Sequence, residues 1–381
     1  MRVTIIGAGI GGLAAAVALR RVGMGTLVIE RVPSIREIGA GLSLWSNALN
    51  ALRELGLEAQ AIASSSLIER NVARTPAGRL IGEHDFASLV REPGAPCICI
   101  HRAVLQTILL DALPPNSVLN GARCVGFDDS TAVLESGERI NSDVLVGADG
   151  ISSVIREGLH GAQPPRYAGY TCWRGIRCAD AAPAGQPQSA LLVIGAGSQF
   201  GLWPCGAGQQ YWFLTKNSPP GAKKTKAELL ALFRDWAAPV PEVIDSTPED
   251  AILQNDIVDR PPLRRWGRGR VTLLGDAAHA TTPNLGQGAC QALEDAVVLA
   301  YCLGKTSPAE AALRQYEGMR ISRAAGVVRD SWQTGKVLQL DSPLLESLRN
   351  WFMSTRLGHR QGMRTFRNLL IYRLPHLPSP E

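Results

Sequence analysis

The chain has 381 residues, 45% of them hydrophobic and 19% charged, a composition that excludes a disordered or fibrous protein. Lysine and arginine total 39 against 34 acidic residues, and a net charge of +5 is too small to predict nucleic-acid binding. The eight cysteines form no CxxC pair, the first residues do not resemble a secretory leader, and no apolar stretch approaches the length of a membrane span. We expect a cytoplasmic protein that binds small or anionic ligands.

The first thirty residues alternate between apolar and glycine-rich segments. Residues 2–6 and 26–30 predict strands, and residues 13–21 predict a helix. The turn after the first strand has the pattern GxGxxG, formed by Gly7, Gly9 and Gly12. Such a turn lets the backbone approach a pyrophosphate, and Glu30, at the end of the second strand, can accept hydrogen bonds from the hydroxyls of an adenosine ribose. The segment predicts a dinucleotide site, which FAD and NAD fit equally well.

Two further loops follow apolar strands later in the chain. An Asp-Gly pair at 149–150 follows the run 144–147, and a Gly-Asp pair at 275–276 ends the run 271–274. The second pair leads through a proline-glycine loop, residues 283–288, into a predicted helix. An NAD dehydrogenase has no use for this second acid and loop, whereas the longer FAD does. The loop offers backbone N–H groups and a helix N-terminus to the flavin ring. The three loops together favour FAD.

These motifs resemble those of the single-component FAD-dependent aromatic hydroxylases, the p-hydroxybenzoate hydroxylase-like flavoprotein monooxygenases. GAGIGGLAAAVALRRVG at 7–23 is similar to the family's ADP-binding fingerprint, GADGISSVIR at 147–156 to its DG motif, and GDAAHATTPNLGQGACQALEDAVVLA at 275–300 to its GD motif. The runs SLWSN at 43–47 and GYTCWRG at 169–175 look most similar to the urate hydroxylase, zeaxanthin epoxidase and 3-hydroxybenzoate hydroxylase branches. The resemblance covers almost the whole chain.

The resemblance implies an enzyme that uses NAD(P)H and O2. NAD(P)H would reduce FAD, O2 would form a flavin C4a-hydroperoxide, and the distal hydroxyl would pass to an electron-rich carbon, by hydroxylation or epoxidation. The expected partner is a small, planar aromatic or heteroaromatic substrate, with no nucleic acid and no metal. The alternative is a FAD-dependent reductase or oxidase of related fold that inserts no oxygen.

The same resemblance implies a set of FAD-binding residues. Arg102 would contact FAD, Asp276 would bind its ribose or ribityl chain, and residues 286–288 would lie against the flavin ring. Asp149 would influence the binding of FAD and of the NAD(P)H that binds transiently. The full candidate set is Gly7, Gly9, Gly11, Gly12, Glu30, Arg31, Ser43, Arg102, Val125, Asp149, Asp276, Pro283, Gly286, Gln287 and Gly288.

The second half of the chain contains aromatic, β-like segments at 167–178 and 200–214, separated by a loop at 179–190. Tyr211 is the candidate catalytic residue, because its phenol can orient a substrate or help to ionise it. Arg174 is the candidate charged residue near a polar substrate. The alternative role for both is packing or surface exposure within the sheet.

A flat apolar pocket is expected around these two residues, lined by Trp45, Phe200, Trp203 and Phe213. Alignment with urate hydroxylases leaves Gln199 where those enzymes carry a pocket arginine, which disfavours urate as the substrate. We expect a largely apolar, electron-rich acceptor such as a quinolone-like ring.

The order of elements predicts an α/β fold: a discontinuous, Rossmann-like FAD-binding domain with an inserted β-sheet substrate domain of α+β character, followed by C-terminal helices. Helices are expected at 225–236, opened by a capping box of Thr225 and Glu228, at 288–303, and from 308 onward. The predicted domain boundaries are 1–70, 98–165 and 262–330 for the FAD-binding domain, 71–97 and 166–261 for the substrate domain, and 331–381 for the C-terminal helical segment.

Residues 349–373 carry six arginines among aromatic and aliphatic residues: Arg349, Arg356, Arg360, Arg364, Arg367 and Arg373. This stretch is expected to be helical, either as an interfacial helix at a membrane or as a C-terminal helix that packs on the core with a solvated arginine face. Peripheral membrane contact stays open, and so does the choice between a monomer and a homodimer.

Overall fold

The computed structural model describes residues 1–34, 40–92, 94–178 and 188–378. Most of the loop predicted at 179–190 falls on residues 179–187, which lie outside the described residues. The described strands are β1 Arg2–Ile6, β2 Gly25–Glu30, β3 Gly41–Leu44, β4 Ser65–Leu67, β5 Arg70–Arg74, β6 Leu80–Asp85, β7 Ile98–His101, β8 Val118–Asn120, β9 Cys124–Asp128, β10 Thr131–Leu134, β11 Arg139–Ile140, β12 Val144–Gly147, β13 Arg166–Cys178, β14 Ser189–Gly195, β15 Ser198–Pro204, β16 Gln209–Asn217, β17 Leu253–Asp259 and β18 Val271–Leu273.

The described α-helices are α1 Ile10–Arg21, α2 Ser46–Glu54, α3 Glu58–Ala63, α4 Phe86–Leu89, α5 Arg102–Asp111, α6 Val154–His160, α7 Lys226–Phe233, α8 Val240–Asp245, α9 Asp276–His279, α10 Gly288–Lys305, α11 Ala309–Leu338, α12 Pro343–Ser354 and α13 Arg356–Leu370. Helix α7 begins with the predicted capping box, since the Thr225 side chain accepts from the Glu228 N–H and the Glu228 carboxylate accepts from the Thr225 N–H.

A five-stranded parallel sheet, in the order β18-β12-β1-β2-β8, forms the centre of the first lobe. Strands β1 and β12 are buried almost throughout, because helices such as α1 and α10 cover the sheet and exclude water. Strands β1, β12 and β18 lie side by side although they come from distant parts of the chain. Their carboxyl ends therefore bring the three predicted loops to one edge of the sheet.

A second sheet of seven strands, in the order β17-β13-β16-β15-β14-β5-β6, forms the inserted lobe. Its neighbouring strands are antiparallel except for the parallel pair β14 and β5. One face packs against α7 and α8, and the opposite face packs against the first lobe. Two three-stranded sheets, β11-β10-β9 and β3-β7-β4, complete the described strands. The predicted fold class is confirmed.

The predicted domain boundaries stay a proposal. Strands β5 and β6, which come from around residues 71–97, pair within the seven-stranded sheet and so agree with assigning this segment to the inserted lobe.

The expectation that Phe200 lines the substrate pocket is wrong. Phe200 lies directly opposite Leu214 and stacks with Trp212, with ring centroids 6.5 Å apart, on the sheet face covered by α7 and α8. Side chains along a strand alternate between the two faces, so Phe200 points away from the face that carries Trp203 and Tyr211.

The predicted helical stretch at 349–373 is divided between two helices, α12 and α13, which meet at Ser354 and Thr355. The Thr355 side chain accepts a hydrogen bond from the Gly358 N–H and so begins a new helix. Residues 371–378 are irregular. No described helix has both the length and the apolar character needed to cross a membrane.

Candidate active site

The glycine-rich turn between β1 and α1 presents an open backbone surface. Gly7 has a φ of +103°, and a Cβ there would lie 2.5 Å from the Ala148 carbonyl oxygen, so only glycine fits. A Cβ on Gly12 would overlap Gly7, so glycine at this position allows the helix to approach the turn closely. A Cβ on Gly9 would meet nothing within 4 Å. The space beside Gly9 is where a pyrophosphate can approach the backbone.

Glu30 is held beside this turn. Its carboxylate accepts hydrogen bonds from the Ala8 N–H at 2.7 Å and from the Val32 N–H at 3.0 Å. The Gln106 side chain donates to the Ala8 carbonyl oxygen at 2.7 Å and fixes the turn from α5. Nothing in the local sequence pattern around Gln106 connects it with a turn nearly a hundred residues earlier, so this contact could not be predicted. The arrangement fits the ribose and pyrophosphate of FAD.

The DG motif is tied to the GD motif by Arg156. The Arg156 guanidinium donates to the carbonyl oxygens of Ala277 at 3.1 Å and Ala278 at 3.2 Å. Burial, together with the charge of Arg260, lowers the pKa of Arg156 to about 10. The Asp149 carboxylate accepts from the Ser153 hydroxyl at 2.5 Å and from the Val154 N–H at 2.8 Å, and burial raises its pKa. Asp149 therefore orders the start of α6, and its contact with FAD stays a prediction.

Asp276 lies at the exposed end of the GD motif. Gly275, with a φ of +61°, turns the chain after β18, and Asp276 is exposed whereas the three residues after it are buried. Among the described residues no side chain or backbone group donates a hydrogen bond to its carboxylate. A free carboxylate at the carboxyl edge of the parallel sheet suits the hydroxyls of a ribose or ribityl chain.

Two side chains hold the loop at 283–288 in place: Trp45, which directly precedes α2, and Asn47, which lies in α2. Trp45 donates its indole N–H to the Leu285 carbonyl oxygen at 3.1 Å, and Asn47 donates to the Gln287 side chain at 3.0 Å. Gly286 adopts a left-handed conformation with a φ of +62°, and a Cβ there would lie 2.9 Å from the Trp45 indole nitrogen. Pro283 opens the turn, and Gly288 begins the 18-residue helix α10. This helix N-terminus can stabilise negative charge on a flavin ring.

The remaining FAD candidates lie on separate elements. Arg31 is exposed directly after β2, and Arg102 is exposed at the start of α5, where its N–H donates to the Ala40 carbonyl oxygen. Ser43 is half-buried in β3, opposite Cys99, and Val125 is 49% exposed in β9. Their contacts with FAD stay predictions.

Tyr211 lies where the two lobes meet. A Cβ on Gly41 would lie 2.5 Å from Cβ and Cγ of Tyr211, so the bare Gly41 backbone in β3 makes room for the tyrosine of β16. The Phe213 ring lies 6.3 Å from the Tyr211 ring and occupies the space left by Gly201. Trp203 stands directly opposite Tyr211 in the sheet, so the three aromatic residues share one face.

Arg174 shares this face, since it stands directly opposite Phe213. Its Nε atom is buried and has no hydrogen-bond partner among the described residues. Burial raises the pKa of the Tyr211 phenol, while the charge of Arg174 acts to lower it. At neutral pH the structure therefore places a protonated phenol and a guanidinium with an unpartnered Nε atom on one largely apolar surface.

Trp45 connects the loop at 283–288 with an aromatic cluster. Its ring contacts Phe86 at 5.1 Å, Phe366 at 5.6 Å and Trp203 at 6.2 Å between centroids. Phe366 comes from α13, so the C-terminal segment contributes to this wall. Sequence reasoning found Trp45 and Trp203 but missed Phe86 and Phe366, because their segments carry no motif.

A buried ionic network under the loop was also missed. Arg320 donates to the carboxylates of Glu294 and Asp295, and Arg323 donates to Glu294 at 2.7 Å; both acids are fully buried. His279 Nε2 lies 2.6 Å from the Asp295 carboxylate. The sequence signal for this network is the pair of adjacent acids, Glu294 and Asp295, in an otherwise apolar helix, because buried carboxylates need oppositely charged or hydrogen-bonding partners.

Residues 1–331 match the family described as FAD binding domain. The chain belongs to this family. It is 40% identical over 376 residues to the aurachin C monooxygenase/isomerase of Stigmatella aurantiaca, which covers 97% of this chain and 98% of that protein. It is 38% identical to the zeaxanthin epoxidase of Solanum lycopersicum, over 86% of this chain and 53% of that protein. The crystal structure of Klebsiella pneumoniae HpxO complexed with FAD and uric acid is similar with a TM-score of 0.90 at 32% identity, over 97% of this chain and 96% of that chain.

The enzyme is thus a FAD-dependent monooxygenase, as the three motifs predict. These residues fit FAD as the cofactor. The backbone surface at Gly9 is open, the Glu30 carboxylate is held beside the turn by the Ala8 N–H, and the Asp276 carboxylate is free to accept hydrogen bonds.

Proposed function

We propose that this monooxygenase hydroxylates or epoxidises a planar, largely apolar, electron-rich aromatic or quinolone-like molecule, with NAD(P)H as the reductant and one atom of O2 retained in the product. When bound, FAD supplies the electron transfer and the activation of O2. The side chains of the protein hold the acceptor carbon in place, exclude water and fix the charge of the substrate.

The observation that carries this proposal is the sheet face formed by Tyr211, Phe213, Trp203 and Arg174. The aromatic side chains offer a flat apolar surface that suits a planar ring. The raised pKa keeps the Tyr211 phenol protonated at neutral pH, so it donates a hydrogen bond to an oxygen at the edge of the substrate. The guanidinium of Arg174, whose buried Nε atom has no partner among the described residues, favours the anionic form of that oxygen, which makes the ring richer in electrons.

Gln199 supports an acceptor other than urate. Its side chain is buried and donates to Gln339, the residue directly after α11, at 3.1 Å, so a neutral amide, held by another amide, stands at the position where the resemblance to urate hydroxylases implies an arginine. One guanidinium, Arg174, suits a substrate with a single ionisable oxygen. The similarity to an aurachin C monooxygenase makes aurachin C the first compound to test.

The test follows product formation under isotopically labelled dioxygen with FAD-loaded enzyme, NADH or NADPH, and a panel of aurachin C, quinolones, phenols and purines. We expect labelled product from the apolar planar compounds and none from urate. Tyr211→Phe removes only the donor, so product formation falls by about tenfold to a thousandfold while FAD binding stays normal.

The matched control is Tyr301→Phe, since Tyr301 lies on α10 and its ring contacts Lys305 rather than the sheet face. Unlabelled product with full NAD(P)H oxidation would establish the alternative, a reductase or oxidase without oxygen insertion. Turnover of Tyr211→Phe at the wild-type rate would remove the role of Tyr211 but leave the oxygenation intact.

A further inference from the structure

Helix α12 packs with its polar side inward. Arg349 is 5% exposed and donates to the Leu338 carbonyl oxygen at 2.9 Å, at the end of α11, and to the Gly195 carbonyl oxygen at 3.3 Å. Asn350 beside it is also buried and accepts from the same guanidinium at 3.1 Å. Rotating α12 about its axis would break these buried hydrogen bonds, so they fix which side of the helix faces solvent.

The outward side of α12 is apolar. Leu344, Leu348 and Trp351 follow the spacing i, i+4 and i+7 and are 77%, 56% and 63% exposed. Leu345 and Phe352 flank them at 44% and 40% exposure. Single exposed apolar residues are ordinary, but five large ones on one face of one helix form a contiguous patch. All five side chains lie outside the fully buried core of the chain.

The neighbouring helix α13 adds a row of positive charge. Arg356, Arg360 and Arg364 follow the spacing i, i+4 and i+8, and all three are exposed. Among the described residues none of the three forms an ion pair, whereas the next arginine, Arg367, pairs with Glu92 at 2.7 Å. The segment 343–370 contains five arginines and one acid, Glu346. The helix that follows α12 and packs against it therefore carries a row of unneutralised cations.

We propose that the α12–α13 surface, defined by the apolar face of α12 and the arginine row of α13, docks on the anionic surface of a phospholipid membrane. The leucines and Trp351 enter the boundary between headgroups and acyl chains, and the arginines contact the phosphates. A second copy of the chain fits less well, because a symmetric contact through this surface brings two arginine rows together without acids to neutralise them. Nucleic acid would satisfy the arginines but leave the leucines without a partner.

The surface is presented by a firmly anchored pair of helices. Leu369 and Leu370 at the end of α13 are buried, and the Phe366 ring lies 5.6 Å from the Trp45 ring of the active-site wall. The exposed leucines thus belong to helices that are docked on the body of the protein.

The test measures co-sedimentation of the full-length, FAD-loaded enzyme with vesicles of phosphatidylcholine alone and of phosphatidylcholine mixed with phosphatidylglycerol. We expect binding to the mixed vesicles that weakens at high salt. Leu348→Glu with Trp351→Glu, and separately Arg360→Glu with Arg364→Glu, should each weaken this binding at least about tenfold, because each pair removes one of two cooperating attractions.

The matched controls are Leu232→Glu, which changes an exposed leucine of α7, and Arg234→Glu, which changes an exposed arginine after that helix; both should bind vesicles like the wild type. FAD absorbance and thermal unfolding establish that every variant is folded. The proposal is overturned if the wild type ignores mixed vesicles, if the α12–α13 variants bind as well as the controls, or if Leu348→Glu only converts a dimer into a monomer. Binding of duplex DNA that depends on the arginines and is indifferent to Leu348 would also overturn it.

Discussion

At the scale of single residues, the carboxyl edge of the parallel sheet carries two kinds of group. Some are engaged in contacts within the protein, and others are free to bind a ligand. Gly7 and Gly12 are fixed by close contacts with backbone, and Asp149 is engaged by α6. By contrast, the space beside the Gly9 α-carbon is open, and the Asp276 carboxylate accepts no hydrogen bond from the described residues. The free groups at this edge are the ones expected to gain most from FAD.

Asp276 gives the sharpest residue-scale prediction for the cofactor. Asp276→Ala should weaken FAD binding at least about tenfold, because a charge-assisted hydrogen bond commonly exceeds the ~1.4 kcal/mol that corresponds to this factor. Fluorescence titration of the apoprotein with FAD measures the change. Asp235→Ala is the control, since that carboxylate is exposed on the inserted lobe. An unchanged dissociation constant for Asp276→Ala would show that Asp276 does not bind FAD.

At the scale of elements, the loop at 283–288 is held from outside. Its turn conformation needs Gly286, but its position depends on Trp45 and Asn47 from the segment that begins α2. The contact joins residues 240 positions apart in the chain. Because the loop is already held in place, FAD binding costs less conformational entropy than it would with a mobile loop.

The Trp45 contact can be tested by Trp45→Phe, which keeps an aromatic ring but leaves the Leu285 carbonyl without its donor. An unsatisfied buried acceptor costs roughly 1–3 kcal/mol, so we expect faster amide hydrogen exchange in residues 284–290 and FAD binding weakened by about tenfold. Trp236→Phe, which changes a half-buried tryptophan of the inserted lobe, should alter neither quantity. Equal exchange rates in both variants would contradict a locking role for Trp45.

The same helices and strands show which features of the structure could be predicted from the sequence. The three nucleotide motifs were predictable because each is a short local pattern that follows an apolar strand, and the structure brings them to one sheet edge. The Phe200 error arose because the strand register, which decides the face of each side chain, depends on long-range pairing. Phe366 could not be found, since its approach to Trp45 depends on how α13 packs against the first lobe.

At the scale of the whole molecule, the buried ionic network joins parts of the chain that share no sheet. Glu294 and Asp295 lie on α10, Arg320 and Arg323 on α11, and Arg323 also donates to the Leu369 carbonyl oxygen at 3.0 Å at the end of α13. Asn47 donates to Glu294 at 2.6 Å. The network therefore links the FAD loop with the C-terminal helices. Removing one partner would leave a buried charge uncompensated, which typically costs about 3–5 kcal/mol.

This network predicts how the stability of the molecule depends on pH. Burial alone would raise the pKa of Asp295, but the adjacent His279 and Arg320 outweigh it and lower the pKa to about 2. The unfolded chain, in which an aspartate has a pKa of about 3.9, binds the proton first as the pH falls. The stabilisation is therefore complete above pH ~4 and is lost progressively between pH ~4 and pH ~2. Below that range both states are protonated, and the contribution of Asp295 is gone.

The measurement is the free energy of unfolding by denaturant from pH ~5 to pH ~2.5, compared between the wild type and Asp295→Asn. The variant cannot titrate at this position, so its stability should be lower at pH ~5, and it should fall less steeply than that of the wild type as the pH decreases. Asp235→Asn removes an exposed carboxylate and should follow the wild-type slope. Parallel slopes for the wild type and Asp295→Asn would show that Asp295 titrates alike in the folded and unfolded chains, and that the network does not hold its charge.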